Sequence, residues 1–401
     1  MHLTGKKILL CITGSVAAYK SIVLLRLLVK AGAEVKVVVT EAALDFVSPL
    51  VLSTLSKNPV LVGLSNKSEW ANHVMLGRWA DLMVVAPLSC NTLAKMACGI
   101  CDNLLTAVYL SANCPVLGCP AMDEDMWLHN STKRNLEQLR SDGVLFMPVG
   151  HGELGSGLVG EGRLAEPEQI FNKILSCLAY PDKPLKGLKV VVTAGPTYEP
   201  IDPVRFIGNH SSGRMGVAIA DECALAGANV HLVLGPSVMA PSQEMEVVRV
   251  VTAVEMYERT VEKFRQADIG VFAAAVADYR PGNPFPEKWK KGNGVPPPII
   301  ELVENPDILK HCGLQKRLGQ TVVGFALETE NEEANALKKL ESKGASMIVL
   351  NSLKDEGSGF GSATNKVTIF SEDGTRQSFP LQLKSEIAVH IVQAIIKHRL
   401  Q

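Results

Sequence analysis

The sequence predicts an α/β protein of two doubly wound domains, and three observations carry that expectation. Two segments begin alike: Gly5-Lys6-Lys7 leads into ILLCITGS and Gly187-Leu188-Lys189 into VVVTAGPT, each an apolar run that ends in Thr and a Gly-bearing turn before a helical pattern. Uninterrupted apolar runs suit strands buried on both faces of a parallel sheet. Between the halves, Tyr180-Pro181-Asp182-Lys183-Pro184-Leu185-Lys186 breaks helix and strand patterns with two prolines and alternating charges, which places a domain boundary there. The length of 401 residues agrees with two or three domains at roughly 150 residues each. The expected domains are 1–180 and 187–401.

In the first half, a helix-period stretch over Ser15 to Ala31 precedes the strand AEVKVVVT. Further strands are expected at Leu82 to Pro87, Pro115 to Cys119 and Val144 to Pro148, with helices in the gaps. The second half repeats the scheme with strands ANVHLVLG, IGVFAAA, TVVGFAL and SMIVLN and helices over Gly213 to Ala226, Val254 to Gln266 and Glu332 to Lys343. Ligands of such sheets sit at the carboxyl ends of the strands. Those ends carry Gly14-Ser15, Thr40, the Pro87 loop, the Cys119 loop, Gly195 and Ala273 to Asp278.

Composition narrows the function classes. Hydrophobic residues at 47% and charged residues at 20% exclude disorder as the main state. A net charge of -1 leaves no global positive field for nucleic acid or an anionic membrane. Lys20, Arg26 and Lys30 interrupt the most hydrophobic early segment, so no apolar run approaches the ~20 residues that cross a bilayer. Met1 to Lys7 is too polar for a secretory leader, and a cytoplasmic location is expected. Nine scattered cysteines form no disulfide framework and are mostly expected in the core. Cys98-Gly99-Ile100-Cys101, placed in a helical stretch with no second pair or neighbouring His, favours burial over metal or redox chemistry.

The Thr13-Gly14-Ser15 turn offers backbone N–H groups and a hydroxyl at a helix N-terminus, which suits a phosphate. It is not a GxGxxG fingerprint, so a mononucleotide is favoured over a dinucleotide, with a plain tight turn as the rival. Pro87-Leu88-Ser89-Cys90-Asn91-Thr92 also leaves a strand for a helix, with Ser89 as a natural N-cap. His73, at the start of a short helix running to Trp79, is a candidate base because the positive helix end disfavours imidazolium, although a lone His is usually structural. Gly150 to Arg163, GHGELGSGLVGEGR, reads as a mobile flap or an idle surface loop.

In the second half, Ala273-Ala274-Ala275-Val276-Ala277-Asp278 ends a strand with residues too small to block a ligand, followed by a carboxylate. The alternative is tight backbone packing. Lys288, Lys290 and Lys291 cluster where long cations could fold onto a triphosphate, and Lys339 and Lys343 stand four apart on one helix face. Solvated surface charge would look the same.

Taken together, CITGSVAAYK, the segment with His73, the PLSCNT loop, Pro120-Ala121-Met122 with Met126-Trp127, and the glycine-rich flap resemble the flavin-containing cysteine decarboxylases. TAGPTYEPIDPVRFIGNHSSGR, AAAVADYR, EKWKK, NPDIL, VGFALET and KKLESKG resemble phosphopantothenate-cysteine ligase. Over nearly the whole chain the order of motifs resembles the bifunctional coenzyme A biosynthesis family. That resemblance implies two Rossmann-like domains, flavoprotein-type and ligase-type. It implies FMN held by Gly14, Ser15, Thr40, Ser89, Asn91 and Thr92, with His73 as base, the Asn of a PxMNxxMW motif on the substrate carboxylate and a flap Cys as proton donor.

Two of those positions differ here. Asp123 stands where the motif has Asn, and Ser156 where the flap has Cys. An ionised Asp accepts hydrogen bonds but donates none, so a substrate carboxylate is repelled unless Asp123 is protonated or faces a cation. An alkyl hydroxyl is a far weaker acid than a thiol with a pKa near ~8.5. The first domain is read as a working variant, with an impaired or relic decarboxylase beside a working ligase as the alternative.

For the second domain the resemblance implies CTP at Phe272, Ala273, Ala274, Asp278, Lys288, Pro306, Asp307, Ile308, Leu309, Phe325, Lys339 and Lys343, with Mg2+ on the phosphates. The carboxylate of 4'-phosphopantothenate becomes an acyl-cytidylate, and cysteine displaces CMP. Asn209 is expected to stabilise the acyl oxyanion or position the intermediate through its amide N–H, and Lys288 to close on the leaving phosphate. Pro196 and Leu327 stand where Gly and Ala are expected. CTP and ATP are not distinguished by the residues. The resemblance also implies decarboxylase trimers grouped into larger shells up to a dodecamer, and ligase dimers. Rivals from other classes are a flavin-binding inhibitory or scaffold subunit and a prenyl-FMN synthase; the ligase motifs argue against both.

Overall fold

The structure, a computed structural model, describes residues 3–64, 72–290, 299–328, 330–352 and 362–400. Contacts divide the chain into two compact units, Met1–Pro181 and Asp182–Gln401. Both are α/β with largely parallel sheets.

The first unit contains β1 (Lys7–Ile12), β2 (Glu34–Val39), β3 (Val60–Leu61), β4 (Leu82–Leu88), β5 (Val116–Pro120) and β6 (Leu145–Phe146) in one parallel sheet, ordered β3-β2-β1-β4-β5-β6. Alternation along β1 explains its apolar run. Ile8, Leu10 and Ile12 face a cluster with Leu24, Leu28, Ile170 and Ile174, whereas Leu9 and Cys11 face one with Leu93, Leu105, Val108 and Leu139. Helices Tyr19–Lys30 and Pro167–Leu178 contribute to the first cluster, and Cys90–Cys98, Leu104–Ser111 and Asn130–Ser141 to the second. β7 (Gly150–Glu153) and β8 (Val159–Arg163) pair antiparallel as a separate hairpin.

The second unit adds β9 (Lys189–Ala194), β10 (Tyr198–Pro200), β11 (Phe206–Gly208), β12 (Asn229–Leu234), β13 (Glu246–Arg249), β14 (Ile269–Phe272), β15 (Tyr279–Pro281), β16 (Leu302–Glu304), β17 (Thr321–Glu328), β18 (Met347–Ser352), β19 (Thr364–Ser371) and β20 (Arg376–Leu383). Its eight-stranded sheet runs β13-β12-β9-β14-β17-β18-β19-β20, parallel as far as β18 and antiparallel beyond it. The final helix, Lys384–Arg399, packs on helix Arg214–Leu225.

In each sheet the strand order reverses beside the first strand of the unit, between β1 and β4 and between β9 and β14. Connections leave those neighbours on opposite faces, which opens a crevice at their carboxyl ends.

Several expected elements change. The strand expected over Val144 to Pro148 contracts to Leu145–Phe146. Cys98 ends its helix because Gly99 turns left-handed at φ 67°, so the Cys98 to Cys101 spacing lies largely beyond the helix. Both of those thiols are exposed, while Cys11, Cys119, Cys223 and Cys312 are buried. Burial pushes the Cys312 thiol up to about 12. Among the described residues no helix is long and apolar enough to cross a membrane.

Candidate functional site

At the β1/β4 switch point lies a cavity of about 710 Å3 whose wall includes Gly14, Ser15, Thr40, Ser89, Asn91 and Thr92. Two of these are helix N-caps at strand ends: Ser15 Oγ accepts from Ala17 N at 3.2 Å, and Ser89 Oγ accepts from Thr92 N at 3.4 Å. Thr13, placed in the turn by the sequence but given no role of its own there, ties the two strand ends together. Its hydroxyl donates to Pro87 O at 2.8 Å and accepts from Ser89 N at 2.9 Å. Gly14 is required by close approach, because a Cβ there would stand 2.7 Å from Ala42 Cβ and 2.9 Å from Ala42 O.

Two features of this wall fit an anionic, hydrogen-bonding cofactor such as a flavin mononucleotide. The buried hydroxyl of Thr40 has no hydrogen-bond partner among the described residues. An unsatisfied buried hydroxyl is costly unless a ligand completes it. The glycine and small hydroxyl residues leave backbone within reach of a phosphate, where larger side chains would intrude.

A neighbouring cavity of about 380 Å3 shares Ser15, Ala121, Met122 and Asp123 with the first and is bounded by Lys20, Glu153, Gly155 and Arg163. Here the two departures from the decarboxylase pattern meet: Ser156 Oγ donates to Asp123 Oδ1 at 2.7 Å. The glycines of the expected flap have a different cause from the one inferred from composition. They let the β7–β8 hairpin lie directly on residues 122–124. Gly162 O accepts from Met122 N at 3.0 Å, and a Cβ on Gly162 would be 2.2 Å from Met122 O. A Cβ on Gly160 would strike the Glu124 carboxylate, which accepts from Glu161 N at 3.1 Å.

His73 begins helix His73–Trp79, capped by Asn72, whose Oδ1 accepts from Met75 N at 3.0 Å. It is half-buried and lines neither cavity. Thus the structure gathers the six nominated flavin residues and Asp123 in one wall and sets Ser156 on Asp123, but leaves His73 apart from these walls.

At the β9/β14 switch point a cavity of about 530 Å3 is lined by Phe272, Ala274, Asp278, Pro306, Asp307, Ile308, Leu309, Phe325, Lys339 and Lys343. Ala273 is not in that wall; its N–H donates back to Thr193 O at 3.2 Å. The small residues after β14 serve both expected purposes. Ala274 N donates to Thr193 Oγ1 at 3.3 Å and Ala277 N to Thr197 Oγ1 at 3.0 Å, so the backbone packs tightly while its far side lines the cavity.

Asp307 divides its two oxygens. One caps helix Ile308–Leu314 by accepting from Lys310 N at 2.8 Å, and the other holds Lys343. Partial burial raises the Asp307 pKa, but the Lys343 and Lys310 contacts outweigh it and hold the carboxyl below its ordinary value. Burial lowers the pKa of Lys339, partly offset by Glu328, Asp307 and Asp278. A desolvated ammonium of this kind gains from an incoming anion.

Lys288 and Asn209 do not line this cavity. One amide N–H of Asn209 is committed to Ala275 O at 2.9 Å. Lys288 and Lys290 are exposed, and Lys291 lies outside the described residues. The segment carrying Lys288 is nevertheless anchored, by a residue that the sequence patterns did not reveal. Buried Asp202 accepts from Val204 N and Arg205 N at 2.8 Å, from the Arg205 guanidinium and from Trp289 N at 3.2 Å. Arg205 in turn donates to Trp289 O at 2.9 Å, and Phe285 N to Ile201 O at 2.8 Å. Among the described residues no group of three or more His, Cys, Asp or Glu is arranged to hold a metal ion.

Comparison with known proteins adds the following. A family model described as Flavoprotein matches residues 1–179, and one described as DNA/pantothenate metabolism flavoprotein C-terminal domain matches residues 185–399. A cysteine/cysteine sulfinic acid decarboxylase from an unknown prokaryotic organism is 49% identical over 356 residues, 87% of this chain and 99% of the relative. The coenzyme A biosynthesis bifunctional protein CoaBC of Bacillus subtilis (strain 168) is 42% identical over 397 residues, 98% of this chain and 97% of the relative. A solved C-terminal domain of a coenzyme A biosynthesis bifunctional protein CoaBC is 38% identical, covering 54% of this chain and 98% of that chain with a TM-score of 0.46.

Proposed function

The chain belongs to the family of bifunctional coenzyme A biosynthesis proteins, and from that premise we propose that it joins 4'-phosphopantothenate to cysteine in its second unit and decarboxylates the product, phosphopantothenoylcysteine, in its first. The observation that carries this reading is a ligand-sized cavity at the switch point of each sheet, about 710 and 530 Å3, lined by the motif residues of each half. The domains are 1–180 for the decarboxylase and 187–401 for the ligase.

In the second unit, CTP with its Mg2+ occupies the 530 Å3 cavity. Lys339 and Lys343 face its phosphates, the Pro306 to Leu309 turn and Phe325 bound its remaining surface, and Asp278 takes a ribose hydroxyl or the ion. Lys288 descends from its anchored loop onto the leaving phosphate. Asn209, with one N–H committed to Ala275 O, keeps the other for the acyl oxygen.

In the first unit, FMN is held by Gly14, Ser15, Thr40, Ser89, Asn91 and Thr92. When bound, it supplies two-electron oxidation of a thiol, which lets the adjacent carboxylate leave as carbon dioxide. Asp123 and the hydroxyl of Ser156 bound the substrate beneath the β7–β8 hairpin, and His73, outside both walls of one chain, is the base that a neighbouring copy in the homo-oligomer brings to the site. A second reading for this unit is free cysteine or its sulfinic acid, the substrates in the name of the 49% identical relative. A cytoplasmic location and a homo-oligomer of decarboxylase trimers and ligase dimers belong to the same proposal.

The test is CTP-dependent pyrophosphate release that requires both 4'-phosphopantothenate and cysteine, with carbon dioxide release from phosphopantothenoylcysteine by the yellow protein. A well-folded protein that releases no pyrophosphate overturns the ligase assignment. One that binds FMN and releases no carbon dioxide from either thiol substrate overturns the decarboxylase assignment.

A further inference from the structure

We propose that Asp123 makes the first-unit site selective for a substrate with a free α-ammonium group, a 2-amino-3-thiol acid, over an N-acylated one; the proposal rests on the second reading of that unit, in which free cysteine and not the ligase product is the preferred substrate. Asp123 follows β5 and lines both the 710 and the 380 Å3 cavities, so it borders any ligand that extends from the cofactor wall toward the hairpin. Its Oδ1 accepts from Ser156, and its Oδ2 has no donor among the described residues. An ionised carboxylate can only accept, and the complementary group is a cationic donor.

The surrounding charge points the same way. Three cations line the two cavities, and each is already engaged. Lys20 reaches Glu166 at 2.9 Å and Leu164 O at 2.9 Å, Arg163 reaches the same Glu166 oxygen at 3.5 Å, and Lys95 pairs with Asp102 at 2.6 Å. Glu41 and Glu153, also in these walls, have no cationic partner among the described residues. The combined wall therefore carries uncompensated negative charge around Asp123. An N-acyl substrate presents one neutral amide N–H there, whereas a free amino acid presents three N–H donors and a positive charge, which adds a charge–charge attraction to the carboxylate that the amide lacks.

The ligands for the test are S-methyl-L-cysteine and N-acetyl-S-methyl-L-cysteine, whose thioethers offer no thiol to oxidise, titrated calorimetrically into the FMN-loaded full chain. The free amine should bind about tenfold or more tightly, and Asp123→Asn should bring the ratio toward one. Ser156→Ala, which releases Oδ1, should keep or raise the preference. Carbon dioxide release from L-cysteine should exceed that from N-acetyl-L-cysteine in the same order. Equal or tighter binding of the acetylated ligand by the unaltered protein overturns the proposal, as does an unchanged ratio in Asp123→Asn with its flavin spectrum intact. Because binding is read without turnover, failure of this selectivity is distinguishable from failure of the decarboxylase reading, which shows as no carbon dioxide from any thiol.

Discussion

Replacing Thr40 with Val should separate the stability of the first unit from its affinity for flavin, with opposite signs. Thr40 Oγ1 is buried and has no hydrogen-bond partner among the described residues. Such a hydroxyl costs about 1–3 kcal/mol of desolvation, a cost that Val removes at nearly constant volume. For a unit of this size, about 1 kcal/mol raises the unfolding midpoint by roughly 2–4 °C, so flavin-free Thr40→Val should melt at or above the unaltered temperature. With FMN the balance reverses. If the hydroxyl meets a phosphate or another charged acceptor, the lost hydrogen bond is worth about 1.5–3 kcal/mol, or roughly 10- to 150-fold in affinity. Thermal unfolding of the flavin-free protein and fluorescence titration with FMN give the two numbers. Unchanged FMN affinity would falsify the assignment of Thr40 to the cofactor wall, and a lower flavin-free midpoint would show that the hydroxyl is satisfied in solution.

Three further outcomes follow from particular contacts. Gly162 adopts φ +126° with Met122 O in the path of any Cβ, so Gly162→Ala should cost at least about 1–3 kcal/mol locally and lift the hairpin. Decarboxylation should fall while pyrophosphate release persists; equal decarboxylation would show that hairpin contact is dispensable. The Arg205 guanidinium, aided by three backbone N–H groups, holds the Asp202 carboxyl far below the usual carboxylate range. A depressed pKa contributes stability that is complete above the unfolded value near ~4 and is lost as pH falls through the folded value. The second-unit melting temperature of the unaltered protein should therefore drop more steeply between pH 5 and 3, taken as about one unit either side of ~4, than that of Asp202→Asn. Parallel curves contradict that linkage. Lys339→Ala should raise KM for CTP about tenfold and leave FMN binding unchanged, because a desolvated ammonium beside the cavity loses its anion. A KM within twofold of the original would remove Lys339 from the nucleotide site.

The strands β1, β4, β9, β14 and β17 were legible in the sequence because each is buried on both faces, so apolar runs mark them without knowledge of their neighbours. The antiparallel edge formed by β19 and β20 was not, since its outer strand alternates exposed and half-buried residues and depends on pairing for its identity. Small residues at strand ends likewise announced both cavities. Sequence spacing could not tell that Asp123 and Ser156, 33 residues apart, share a hydrogen bond, or that Asp202 reaches 87 residues forward to hold the loop of Lys288.

Nor could it tell that Ala273 faces back into the sheet or that His73 stands outside the cavity walls. The kinds of chemistry available, two switch-point crevices with glycine, hydroxyl and cationic linings, were written in local residue order, since burial period and turn chemistry are local properties. Which of those residues face one another was decided by the order of strands in each sheet, because that order, and not chain distance, brings the loop ends together.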